Sequence, residues 1–241
     1  MTPLGPALPD LSVRDRQAEL MDDPELDPAR HVHALRALAR VNRVSLTVSR
    51  IWTEVLELRE RVDGPIRILD VACGGGDVLS ALGARARRTG IPVELRGCDV
   101  SRRAVDEAAR AAPDGVPLEV AKLDALEDDL PSACHLVVCS LFLHHLDRSD
   151  AVRLLCRMAA ATEVSLLVED LRRTRLGYLF AWIGLHTLTR SDVARTDGLR
   201  SVRSAFSVEE VRALCAEAGL ERARLERVWP QRFSLVWRRA A

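Results

Sequence analysis

The run Ile66-Arg67-Ile68-Leu69-Asp70-Val71-Ala72-Cys73-Gly74-Gly75-Gly76-Asp77 limits what this chain can fold into more than any other stretch. Its β-branched and aliphatic start ends on an acid, as a buried parallel strand does at its carboxyl end. Three glycines then let the backbone turn tightly and bring its N–H groups close to a ligand. From Asp77 to Arg88, the apolar residues Val78, Leu79, Leu82 and Ala86 fall at helical spacing. Strand, glycine turn and helix make a nucleotide-type pocket, with the helix N-terminus toward the ligand. A dinucleotide fingerprint needs a third glycine in G-x-G-x-x-G, and Leu79 stands there instead.

The same unit repeats downstream. Residues 93–99, 118–122, 133–140 and 163–170 read as strands, with helices over 102–112 and 148–161 between them. That alternation argues an α/β fold with a doubly wound parallel sheet, whose ligands bind outside the carboxyl ends of the strands. Asp70, Asp99, Asp124, Ser140, His144, His145, Glu169 and Asp170 all fall at such ends or just beyond them. Asp99 lies 23 residues past Gly76, where a nucleotide fold places the acid that takes the ribose hydroxyls. The plainer role for Asp99 is to cap the helix beginning near Ser101.

The pattern D-V-A-C-G-x-G resembles motif I of class I S-adenosylmethionine (SAM) dependent methyltransferases, in the variant of the ubiquinone/menaquinone-biosynthesis type. Asp70, Gly74 and Gly76 match D-x-G-x-G-x-G, and Ala72 departs from it at the first glycine. The resemblance spans residues 65–238 and implies a Rossmann-like seven-stranded sheet, mostly parallel, whose last strand is antiparallel. It implies SAM as cofactor, held by Asp70, Ala72, Cys73, Gly74, Gly76, Asp99, Val100, Asp124, Ala125 and Ser140. Within that set Asp99 would take the ribose and Asp124 the adenine amino group. Ser140-Leu141-Phe142-Leu143-His144-His145 resembles the motif beside the methyl-transfer site.

Outside this frame, residues 1–63 read as an N-terminal arm and helices, and 64–241 as the methyltransferase domain. The arm is loose, with a short helix over Val13–Met21. Asp27-Pro28 opens a helix to about Arg40, Asn42 interrupts it, and a second helix covers Val44–Arg61. Residues 171–206 form a candidate helical lid insertion, with an apolar helix over Leu176–Leu188 and an arginine-rich loop over Arg190–Arg203. Ser207-Val208-Glu209-Glu210 is a capping box for a helix to Ala218, and a hairpin over 222–228 and 233–237 closes the chain.

A formal net charge of zero and 48% hydrophobic residues exclude general polyanion binding, so no nucleic-acid partner is expected. Lys122 is the only lysine, and the arginines are dispersed among acids. Six cysteines without a C-x-x-C pair fit a reduced, cytoplasmic protein. The longest apolar run is too short to span a bilayer. A homodimer is left open.

Methyl transfer from a sulfonium is an in-line displacement, so alignment matters more than acid–base power. A phenol or carbon acid must still lose a proton, and histidine is the fitting base near neutral pH. His145, with His144 as the alternative, is assigned that role; Glu169 and Asp170 either orient the imidazole or cap the fifth strand. Phe142, Glu169, Asp170, Tyr178, Trp182 and His186, with Trp52, are the candidate substrate residues and suit a flat or lipophilic acceptor. No carboxylate triad for a metal is visible. The expected reaction is methylation of a small phenolic, quinone-like or polyketide-type metabolite on oxygen. C-methylation of a quinone-type ring, a non-catalytic fold that binds SAM, and a nicotinamide reductase are the alternatives; the last lacks a Tyr-x-x-x-Lys pair.

Overall fold

The computed structural model describes residues 9–23, 25–42 and 46–240. Seven strands form one sheet: β1 (Ile66–Val71), β2 (Val93–Asp99), β3 (Leu118–Lys122), β4 (Cys134–Ser140), β5 (Thr162–Leu171), β6 (Arg224–Val228) and β7 (Arg232–Arg238). Their order is β3-β2-β1-β4-β5-β7-β6. β1 through β5 run parallel, and β7 enters antiparallel between β5 and β6. This is the seven-stranded arrangement expected of a class I methyltransferase. Asp70 pairs in register with Gly97 on β2 and Val138 on β4, while Ser140 lies beside Glu169. The chain order reverses between β1 and β4, so the crevice opens where β1 and β4 end.

Helices cover both faces. α5 (Arg148–Ala161) and α8 (Val208–Glu217) bury Leu154, Met158, Val211 and Leu214 against Leu69, Val137 and Leu166. On the other face α2 (Thr47–Arg59), α3 (Asp77–Thr89) and α4 (Arg102–Arg110) bury Ile51, Val55, Leu79, Leu82 and Ala108 against Ile68, Leu95 and Leu136. Strands buried on both sides are continuously apolar, and β4 is buried over six of its seven residues. Trp52 belongs to this second core and is not at the mouth; the Arg85 guanidinium lies 5.3 Å from its ring centroid.

α1 (Pro28–Asn42), α6 (Arg175–Leu188) and α7 (Asp192–Ser204) gather at the carboxyl end of the sheet, where Ala34 and Ala37 pack on Val193 and Ala194. Two expectations fail here. Arg190–Arg203 is not a loop: Ser191 accepts a hydrogen bond from the Ala194 N–H and opens α7. Val193, Ala194, Asp197, Ser201, Val202 and Ser204 turn inward from it. Half of its buried stripe is polar, which hides it from a search for apolar periodicity.

The second failure is in the arm. Residues 14–19 carry no helix, and a single 3-10 turn spans Leu20–Asp22. This extended strap has its polar groups satisfied by α7 and by the mouth, so no internal helix ladder is needed. Asp15 N–H donates to the Arg203 carbonyl, the Leu20 and Met21 N–H groups to the Asp197 carboxylate, and Arg200 to the Ala18 carbonyl. The strap is tied down along its length, and the loose-arm expectation is corrected for it. α1 ends at Asn42, as expected, and α2 begins at Thr47, after Leu46 in a left-handed conformation. The first eight residues, Pro24 and the expected helix start at Val44 lie outside the described residues.

Candidate functional site

The glycine turn departs from β1 through residues that turn left-handed in alternation: Ala72 at φ 56°, Gly74 at 53° and Gly76 at 72°. Ala72 therefore occupies a conformation that favours glycine, which is the backbone reason for a glycine at this place in motif I. At Gly76 an added Cβ would lie 2.8 Å from the Cβ of Ala108, so α3 and α4 approach here as only glycine allows. Around Gly74 the space is open. The Asp99 carboxylate accepts the Gly74 N–H at 2.9 Å and the Ser101 N–H at 2.8 Å. Asp99 thus braces the turn, while Ser101 itself caps α4.

Asp70 lies under this turn, almost fully buried, and its Oδ1 has no hydrogen-bond partner among the described residues. Burial, with Asp77 and Asp99 nearby, raises its pKa well above the usual carboxylate range. A buried carboxylate without a donor is costly unless a ligand supplies one. The open space over Gly74 and this acid fit a cofactor bearing a positive charge. Cys73 is buried beneath the turn, where burial raises its thiol pKa. Val100 is 61% exposed just past β2, an apolar surface beside Asp99. Asp124 accepts the Leu126 N–H, the buried Ala125 gives its carbonyl to Arg157, and Ser140 closes β4.

Beyond β4, the 3-10 turn Leu143–His145 sets two imidazoles side by side, with ring centroids 4.4 Å apart. Asp170 grips His144 twice, accepting its main-chain N–H at 2.9 Å and meeting its Nδ1 at 2.7 Å. Burial works to lower the pKa of His144, but Asp170 and then Glu19 overcome it and raise it to about 10. Asp170 is held below the usual range by His144 despite its own burial. His144 is thereby held by Asp170 through Nδ1, with its Nε2 turned toward Glu19. His145 keeps a quarter of its side chain exposed, stacks on Phe142 at 5.8 Å and lines a cavity of about 300 Å3.

The sequence gives no signal for the groups that complete this mouth. Glu19 on the strap points its Oε1 at His144 Nε2 (3.7 Å) and its Oε2 at His145 Nε2 (3.8 Å). Ser201 on α7 donates to the same Oε1 at 2.5 Å. Arg14 donates to the carbonyls of His144 and Leu146 at 2.8 and 2.6 Å, and Arg16 to that of His145 at 2.9 Å. Glu169, expected beside the substrate, is fully buried and held by Arg50, with Arg50 Nη2 at 2.9 Å from Oε2. Tyr178 is buried in α6; Trp182 is half-buried, and the exposed His186 meets its carbonyl through Nδ1 at 2.8 Å.

Residues 68–164 match the family model described as a methyltransferase domain. No curated protein matches the sequence. Among solved structures, a Nostoc punctiforme protein described as an O-methyltransferase is 21% identical with a TM-score of 0.53. That match covers 76% of this chain but only 55% of the other, so this chain spans about half of its length. Magnesium protoporphyrin IX methyltransferase from Synechocystis, bound to SAH, is 16% identical with a TM-score of 0.57, covering 94% of this chain and 90% of that one. An O-methyltransferase family 2 protein from Planctomyces limnophilus, in complex with apigenin, is 18% identical with a TM-score of 0.56, covering 90% and 63%. No helix among the described residues is long and apolar enough to cross a membrane.

Proposed function

We propose that the protein is a SAM-dependent methyltransferase that acts on a hydroxyl oxygen of a small aromatic metabolite of the phenolic, quinone-like or polyketide type, a reading supported by the match of residues 68–164 to the methyltransferase-domain model. The observations that carry this reading are two features beyond the carboxyl ends of β1 and β4. The unpartnered carboxylate of Asp70 lies under the glycine turn, and His145 opens onto a cavity past β4. SAM, when bound, supplies an electrophilic methyl group on a sulfonium. Asp70, Gly74, Gly76, Asp99, Val100 and Asp124 are the residues that would hold it.

The acceptor lies at the mouth, against Phe142 and His145 and under the cover made by α6 and α7. A phenol methylated on oxygen gives up its proton, and His145 is the group placed to receive it. His144 is already bound to Asp170 and serves to fix the turn. That two of the structural neighbours are O-methyltransferases by description supports oxygen over carbon. The test is turnover of SAM with a panel of phenolic and hydroxyquinone acceptors. His145→Ala should leave SAM affinity unchanged and slow turnover by roughly 10²-fold or more. Unchanged turnover would remove His145 from the reaction, and a product methylated on carbon would remove the oxygen assignment.

A further inference from the structure

We infer that Glu19, His144 and His145 form a site for one borderline divalent cation, zinc foremost, with open coordination positions facing the cavity. Among the described residues these three alone bring together His, Cys or acid ligand atoms, all within 4.8 Å of one another. The three ligand atoms converge without touching. Separations of 3.7 and 3.8 Å between Glu19 oxygens and the two Nε2 atoms are too long for hydrogen bonds. They lie just beyond the roughly 3.4 Å expected between two ligands set about 2.0–2.1 Å from a tetrahedral zinc.

The surroundings of the three groups also fit. A metal-bound imidazole needs its other nitrogen fixed, and the Nδ1 of His144 is held by Asp170 at 2.7 Å. A ligating carboxylate is itself hydrogen-bonded, and Ser201 holds Glu19 at 2.5 Å. Two imidazoles and one carboxylate are the donor set of catalytic zinc sites that keep a position open. The adjoining cavity, lined by Arg16, Gln17 and Ser204 besides the three ligands, admits an oxygen ligand from solvent or substrate.

The inference rests on the mouth being the acceptor site and changes how it works. With a cation bound, His145 would be a ligand in place of its role as base, and the cation would supply Lewis acidity that lowers the pKa of a coordinated acceptor hydroxyl, whose proton would pass to water in the cavity.

The experiment is cobalt(II) titration of the full chain after chelator treatment, with SAM affinity measured calorimetrically in each sample. One equivalent of cobalt should bind at micromolar concentration with visible d–d bands that zinc abolishes. Glu19→Gln and His145→Ala should each weaken cobalt binding at least 100-fold, and Ser201→Ala about 10-fold, with SAM affinity kept as evidence of folding. No saturable cobalt binding, or equal binding by the two ligand variants, overturns the site. Full turnover by chelator-treated protein overturns the metal's part in the reaction and leaves the methyltransferase reading intact. Cobalt binding without SAM binding has the opposite meaning: the site stands and the methyltransferase reading fails.

Discussion

Asp170, the penultimate residue of β5, holds His144 by two separate contacts, one to its main-chain N–H and one to its imidazole Nδ1. A single carboxylate thus fixes both the backbone of the turn after β4 and the orientation of the ring. Both partners are buried, so breaking the pair leaves an uncompensated charge inside the protein. Asp170→Asn should therefore destabilise the fold by about 3–5 kcal/mol. Denaturant unfolding reads this directly, and an unchanged midpoint would show that the pair contributes nothing.

The Asp99 carboxylate already accepts two main-chain N–H groups, one of them from Gly74 in the cofactor turn. Removing it loosens the turn and deletes the group expected on the ribose. Asp99→Ala should weaken SAM binding by about 1–3 kcal/mol, measured by calorimetry. Near-normal affinity would take Asp99 out of the cofactor site.

Asp70 gives a pH dependence whose sign can be worked out. Burial first, then the charges of Asp77 and Asp99, raise its pKa in the free protein, so a proton is held there at acid pH. A cationic cofactor beside it favours the carboxylate and lowers that pKa. Binding must then release a proton, and affinity for SAM should rise with pH up to the raised pKa and level off above it. Calorimetry in buffers of different ionisation enthalpy should detect the released proton. Asp70→Asn should abolish both the release and the pH dependence; wild-type affinity independent of pH would refute the assignment.

The parallel sheet was legible because its signals are local and redundant. Apolar runs end on Asp70, Asp99 and Ser140, and the helices between them carry ordinary apolar stripes. The extended strap and the helical character of α7 were not legible, since their order comes from contacts between distant segments. Glu19 sits in a stretch with no periodicity, and its position depends on α7, whose inward face is Asp197, Ser201 and Ser204 among small apolar residues. Polar residues read as solvated when their partners are far away in sequence. Trp52 misled for the converse reason: an aromatic residue on a helix signals burial, and it does not say in which face of the sheet.

Two glycines of one turn should respond differently to the same substitution. Both lie at positive φ, so alanine at either costs about 1–2 kcal/mol in backbone strain. At Gly76 the new methyl group would also come within 2.9 Å of the Ala108 Cα, and backbone of α4 cannot give way as a flexible side chain would. At Gly74 the methyl group meets nothing within 4 Å and projects into open space. Gly76→Ala should therefore lose clearly more stability than Gly74→Ala. Gly74→Ala should keep most of its stability and lose SAM affinity, because the methyl group takes room the cofactor needs. Paired thermal unfolding and calorimetric titration of the two variants separate these effects. If Gly74→Ala bound SAM as tightly as the wild type, the open space above the turn would not be the cofactor's place.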